Sequence, residues 1–288
     1  MARAEQAVKM ETGRVQGPGG VEFFWRQWSG PKTGRRAILL VHGLGEHCGR
    51  YGSFGEYFAS RGVPVLSFDL RGHGQSGGAR GHLDEFDDYV GDVLFFRERL
   101  ASRFPGEKPA LVGHSLGGLI ALAAAQVRGD AFSAVVASAP LLGIALKVPG
   151  WKAALGKFLA GVLPRFSMTN EINPAFLSRN PEVGRKYAAD PDVGNKVSAG
   201  WFVQNLEGMA RVNANAAKVA IPAFILQGTE DRLVSVEATR AFFASLGDIP
   251  KAYKEFEGFY HELFQEDERD QVFGFIWDWL VQRGLVAA

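Results

Sequence analysis

The chain has 288 residues, 47% hydrophobic and 22% charged, with 32 basic residues against 31 acidic ones for a formal net charge of +1. That balance gives no electrostatic reason to expect nucleic acid or an anionic membrane as the main partner. A single cysteine, Cys48, excludes an intramolecular disulfide framework and a thiolate metal cage.

Residues 1–10 alternate small and charged side chains and contain no apolar core of signal-peptide length. No uninterrupted apolar run reaches the roughly 18 residues of a membrane span. The chain therefore reads as cytoplasmic, with peripheral membrane contact left open. Residues 21–28 alternate and are rich in aromatics, the pattern of a strand. Residues 37–41 form a continuous apolar run ending in His42-Gly43, as expected of a strand buried on both faces. A short helix is predicted over 54–61, a second buried strand over 63–68, and a long amphipathic helix over 87–103. Residues 110–112 form a strand leading into Gly113-His114-Ser115. An Ala/Leu-rich helix over 116–128 and a strand over 131–137 follow. Later strands fall at 223–226 and 252–256, and helices at 236–245 and 268–283. The last helix shows Val272, Phe273, Ile276, Trp277 and Leu280 at helical spacing, a stripe suited to core packing. Strands alternating with helices predict an α/β fold, with a mostly parallel sheet flanked by helices.

The rhythm breaks once. Residues 144–212 carry no strong strand signal but contain Pro149, Pro164, Pro174, Pro181 and Pro191, with an apolar helix predicted over 151–163. An insertion of this size between sheet strands is expected to form a cap, with residues 1–143 and 213–288 forming the core. A merely structural or partner-binding insert is the plainer alternative.

The sharpest motif is Gly113-His114-Ser115-Leu116-Gly117, set between a strand and a helix. This Gly-x-Ser-x-Gly pattern is the nucleophile elbow of α/β-hydrolases. A serine on so sharp a turn needs neighbours without bulky side chains, and it sits at a helix N-terminus, where developing negative charge is favoured. The competing reading is an ordinary N-cap serine. A serine hydroxyl needs a base, and in this fold the chain order is serine, acid, histidine. Only one histidine follows Ser115: His261, just past the strand at 252–256. The acid falls after the strand at 223–226, where Asp231 is preferred and Glu230 is the competitor. Two backbone N–H groups should hold the oxyanion: Leu116, after the nucleophile, and Leu44, in the loop His42-Gly43-Leu44-Gly45-Glu46-His47. No carboxylate lies at ligand spacing from the clustered histidines, so no metal is expected.

With these residues placed, the chain resembles the monoacylglycerol lipase and lysophospholipase family of α/β-hydrolases. Three blocks carry the likeness. They are His42-Gly43-Leu44-Gly45-Glu46-His47 with Gly49-Arg50-Tyr51, then Asp69-Leu70-Arg71-Gly72-His73-Gly74-Gln75-Ser76-Gly77 with Arg80-Gly81-His82, and finally Gly113-His114-Ser115-Leu116-Gly117-Gly118. The resemblance implies the α/β-hydrolase fold, the triad Ser115, Asp231 and His261, and Leu44 with Leu116 as oxyanion donors. It further implies a mobile apolar cap over an acyl-chain tunnel, and no cofactor. It maps head-group contacts loosely onto Glu46, Arg50 and Tyr51; against this, Glu46 and Arg50 could simply pair and brace the oxyanion loop. The function expected is hydrolysis of a lipid ester of medium to long acyl chain, a monoacylglycerol or lysophospholipid, with transient membrane-surface contact through the cap. The alternatives are a thioesterase, an aminopeptidase holding the substrate amine on Glu171 or Glu182, and a non-catalytic ligand-binding homologue. Oligomeric state is not set by the sequence.

Overall fold

Strands buried on both faces need apolar side chains at successive positions, one set for each covering layer. That is how the sheet of this protein is built. The computed structural model describes residues 7–30, 36–105, 108–145, 156, 158–170 and 172–286. In chain order its strands are β1 (Lys9–Gln16), β2 (Glu22–Ser29), β3 (Ile38–Val41), β4 (Val65–Phe68), β5 (Ala110–His114), β6 (Ala134–Ser138), β7 (Ser167–Thr169), β8 (Lys196–Ser198), β9 (Ala223–Gly228) and β10 (Lys251–Phe256). The helices are α1 (Gly52–Ser60), α2 (Asp87–Arg103), α3 (Leu116–Arg128), α4 (Pro181–Ala189), α5 (Ala199–Ala214), α6 (Val236–Ser245) and α7 (Arg269–Gln282).

One sheet runs in the order β1-β2-β4-β3-β5-β6-β9-β10. Pairing is antiparallel from β1 through β2 to β4 and parallel from there on. Leu39 and Val41 of β3 join the core layer built with α2 and α3, whereas Ile38 and Leu40 join the layer of α1 and α7. Full burial of such a side chain contributes about 1.5–3 kcal/mol. Coverage on both sides is what lets strands of four residues hold their register. Phe68 of β4 stacks on Phe96 of α2, with centroids 3.9 Å apart. On α7, Val272, Phe273, Ile276 and Leu280 are buried as the stripe predicts, but Trp277 is only half-buried and Trp279 is buried in its place.

Two features depart from the sequence-based expectation. Strand β1 was not predicted. It is an edge strand with no buried position, and pairing over its whole length with β2 holds it. The small β7–β8 ribbon was not predicted either; its strands are three residues each. Between β6 and β9 lie this ribbon and the helices α4 and α5. The expected boundary after residue 212 falls inside α5, whose Trp201 and Val212 pack in the same core layer as α3. Of the helix expected over 151–163, residues 151–155 and 157 lie outside the described residues. Residues 158–162 are helical, with Phe158 and Val162 exposed.

Candidate active site

All the loops of interest leave the carboxyl ends of neighbouring parallel strands, where open α/β sheets present their ligand sites. Ser115 follows β5 and caps α3 with φ 55° and ψ −117°, a backbone conformation costly for any residue but glycine. The surroundings enforce it. Its N–H donates to Ser138 O of β6 at 2.9 Å, and its carbonyl accepts from Leu141 N at 3.0 Å and Leu119 N at 3.1 Å. The flanking glycines serve close packing. A Cβ on Gly113 would lie 2.1 Å from Gly117 O, and one on Gly117 would lie 2.1 Å from Val41 O.

Three side chains meet at this turn. The Ser115 hydroxyl donates to His261 Nε2 at 2.9 Å, and His261 Nδ1–H donates to Asp231 Oδ2 at 2.7 Å. Asp231 is fixed in turn: Oδ1 accepts from Leu233 N at 2.9 Å and Val234 N at 3.0 Å, while Oδ2 also accepts from Gln227 Nε2 at 3.0 Å. Burial alone would lower the imidazole's pKa, but the Asp231 carboxylate outweighs it and the net shift is upward. Burial would likewise raise the Asp231 carboxyl. The facing imidazole and the N–H groups of Val234 and Leu233 instead hold it below its usual range. Glu230, the competing acid, is exposed and has no part in this row. His114 does not bond Ser115. Its ring lies 4.8 Å from that of His261, its Nδ1 has no hydrogen-bond partner, and burial, with the facing His261, pushes its pKa down to about 3.

The loop after β3 comes up against the serine: a Cβ on Gly43 would lie 3.2 Å from Ser115 Cβ. Among the described residues, no acceptor takes the N–H of Leu44 or of Leu116. His42 braces this loop from below, with Nδ1–H donating to Gly43 O at 2.8 Å and Nε2 accepting from Leu70 N at 2.8 Å. Glu46, Arg50 and Tyr51 are brought together, but toward one another. Glu46 Oε1 accepts from Gly43 N and from the Tyr51 hydroxyl, both at 2.6 Å, and Oε2 accepts from Arg50 Nη1 at 2.7 Å. Tyr51 is buried in the core with its hydroxyl committed to Glu46. The arrangement has the geometry of a brace on the loop after β3 rather than of open head-group contacts. From the other side, Gly194 N donates to Gly45 O at 2.7 Å, and His47 Nε2–H donates to Asp190 Oδ2 at 3.0 Å. No group of side chains suited to a metal ion occurs among the described residues.

Residues 32–268 match the family model described as Serine aminopeptidase, S33. The Monoacylglycerol lipase of Mycolicibacterium smegmatis is 32% identical, with the alignment covering 92% of this chain and 95% of that protein. The crystal structure of Paleococcus ferrophilus monoacylglycerol lipase superposes with a TM-score of 0.82 at 35% identity, over 94% of this chain and 99% of that one. The chain belongs to the monoacylglycerol lipase family of α/β-hydrolases. Like the family, it is a carboxylic ester hydrolase. It is also 30% identical over 90% of its length to an uncharacterized abhydrolase domain-containing protein of Dictyostelium discoideum, of which it spans 27%.

For a monoacylglycerol lipase-family chain, one residue of the site had no signal in the sequence. Glu262 lies between His261 and the buried Leu263-Phe264, and its carboxylate grips Arg50 at 2.6 and 2.7 Å across a separation of 212 residues. Neither spacing nor motif announces such a pair. Of the two carboxylates considered for an aminopeptidase, Glu171 lies outside the described residues. Glu182 sits partly exposed at the start of α4, where it pairs with Arg185 at 2.5 Å. No helix of the described residues is long and apolar enough to cross a membrane.

Proposed function

We propose that the chain hydrolyses esters of medium to long acyl chains, monoacylglycerols or lysophospholipids, through an acyl-enzyme on Ser115. The observation that carries this reading is the hydrogen-bonded row from Asp231 through His261 to Ser115 Oγ, at 2.7 and 2.9 Å. Ser115 Oγ attacks the ester carbonyl as its proton passes to His261 Nε2, and Asp231 stabilises the imidazolium. The N–H groups of Leu44 and Leu116, left without acceptors among the described residues, receive the oxyanion. The bond to the alcohol breaks, and the alcohol takes the proton from His261. Water then gives its proton to the same nitrogen and attacks the acyl carbon, releasing the acid and returning the proton to Ser115.

In this reading residues 144–212 cover the site as a cap. Phe158, Val162, Leu163 and Phe166 are each exposed within the same short segment, which we assign to transient contact with a lipid surface. Glu46, Arg50 and Tyr51 act by bracing the oxyanion loop. The amidase alternative suggested by the family model's description lacks a free carboxylate at Glu182, since Arg185 neutralises it.

A hydrolysis profile across acyl lengths and head groups, run beside an aminoacyl amide, tests the assignment. Monoacylglycerol and lysophospholipid esters of medium or long chain are expected to be turned over and the amide not. Each buried methylene is worth about 0.8 kcal/mol, so chain length should dominate selectivity. Ser115→Ala should lower turnover about 10⁴- to 10⁶-fold. Preference for the amide, or a Ser115→Ala variant of normal activity, overturns the proposal.

A further inference from the structure

We propose that Glu262 is a positioning residue for ester hydrolysis: through Arg50 and Glu46 it ties the loop bearing His261 to the loop bearing Leu44, so that base and oxyanion donor hold one fixed geometry. This rests on the triad reading above. The link is continuous. Gly43 N, one residue before Leu44, donates to Glu46 Oε1 at 2.6 Å; Arg50 Nη1 donates to Glu46 Oε2 at 2.7 Å and to Glu262 Oε1 at 2.6 Å; Arg50 Nη2 donates to Glu262 Oε2 at 2.7 Å. Glu262 directly follows His261. Arg50 is locked at its backbone as well, its carbonyl accepting from Gln265 Nε2 at 2.7 Å. Glu262 N donates to Leu177 O at 2.7 Å, which pins the same loop from the opposite side. Tyr51 completes the set from beneath Glu46.

The chemistry favours arginine here, because only a planar guanidinium serves two carboxylates with fixed, forked donors. Both carboxylates are buried and face one cation, so the cluster carries an excess negative charge close to the imidazole. The groups that bear electrostatically on His261 are Asp231, Glu262 and Glu46, with His114 packed against its ring and Arg50 between the two glutamates. An excess of negative charge at that place stabilises the imidazolium that forms as Ser115 attacks. Glu262 thus acts on the reaction through position and field, without touching substrate.

The test compares the full chain with Glu262→Gln, Glu262→Asp and Arg50→Lys, measuring kcat, KM, thermal melting and the acid limb of kcat/KM against pH. Glu262→Gln is expected to lower kcat about 10- to 100-fold, the scale of a 1 Å misplacement, with KM within about threefold of wild type. Its acid limb moves to lower pH, because a negative charge near the base is gone. Glu262→Asp, which keeps the charge, retains the wild-type limb. Arg50→Lys breaks the fork and lowers kcat on the same scale. A brace with only a structural role would lower the melting temperature and leave both kcat of the folded enzyme and the acid limb unmoved; that result overturns the proposal. Should Glu262→Gln fail to fold, an Arg50→Lys variant with wild-type kcat overturns it equally. Ser115→Ala separates the two readings. If it is active the triad reading fails, whereas an inactive Ser115→Ala beside an unperturbed Glu262→Gln removes only this inference.

Discussion

Exchanging Asp231 for asparagine tests the row of hydrogen bonds at its least accessible member. The new amide has one oxygen and one NH2 group, and the surroundings choose which goes where. The Oδ1 position accepts two backbone N–H groups, from Leu233 and Val234 at 2.9 and 3.0 Å, so an NH2 group placed there would face two donors. The oxygen therefore stays at Oδ1 and the NH2 turns toward His261 Nδ1, while Gln227 Nε2 loses its acceptor there. His261 must then accept at Nδ1, which places its proton on Nε2, facing Ser115 Oγ. In that tautomer it cannot take the serine proton. The same exchange in a Ser-His-Asp triad lowers kcat about 10⁴-fold, or roughly 5.4 kcal/mol in the barrier. Hydrolysis of a medium-chain ester near pH 8 by Asp231→Asn should show that loss, with Glu230→Gln as control staying within about threefold, as expected for an exposed side chain outside the row. An Asp231→Asn enzyme within tenfold of wild type, or a Glu230→Gln enzyme falling as far, would refute the reasoning.

Three further outcomes are expected. The base must be neutral to act, and the Asp231 carboxylate holds the His261 pKa above its ordinary value despite burial. Activity should therefore be lost, as pH falls, at a higher pH than for an unperturbed histidine; a kcat/KM profile with a midpoint below about 6.5 contradicts this. Gly113→Ala forces a Cβ to 2.1 Å from Gly117 O, a backbone atom with no room to retreat. It should lower the unfolding free energy by about 3 kcal/mol or more, or prevent folding, as read by urea melts. Replacing Phe158, Val162 and Phe166 with serine should weaken flotation with liposomes at normal salt while leaving hydrolysis of a short, water-soluble ester within about twofold. Equal flotation of both proteins would remove the membrane role of the segment.

The parallel strands were legible because burial on both faces requires near-continuous apolar runs, and residues 37–41, 63–68 and 223–226 carry them, with Ser67 the one polar exception. The elbow announced itself through Gly113 and Gly117, whose side-chain space is filled by backbone. His261 was found by order alone, as the single histidine after Ser115. Strand β1 was illegible for the converse reason: at an edge none of its residues Lys9–Gln16 is fully buried, so pairing rather than pattern holds it. The α5 helix blurs the expected end of the insertion, since it runs past residue 212 with both Trp201 and Val212 in the α3 core layer, and nothing in its periodicity marks a boundary. The Arg50–Glu262 grip was beyond reach because an ion pair between residues 212 apart leaves no local trace.

The hydrogen bonds from Gly194 to Gly45 and from His47 to Asp190 have a consequence for chimeras. A crossover placed at the visible ends of the insertion would transplant Tyr187–Gly194 away from the segment His42–His47 that it grew up beside. Such a hybrid would exchange substrate reach and rate together. If residues 144–212 act as the proposed cap, crossovers that leave the stretch from 187 to 194 with its native host would let acyl-chain selectivity be swapped on its own.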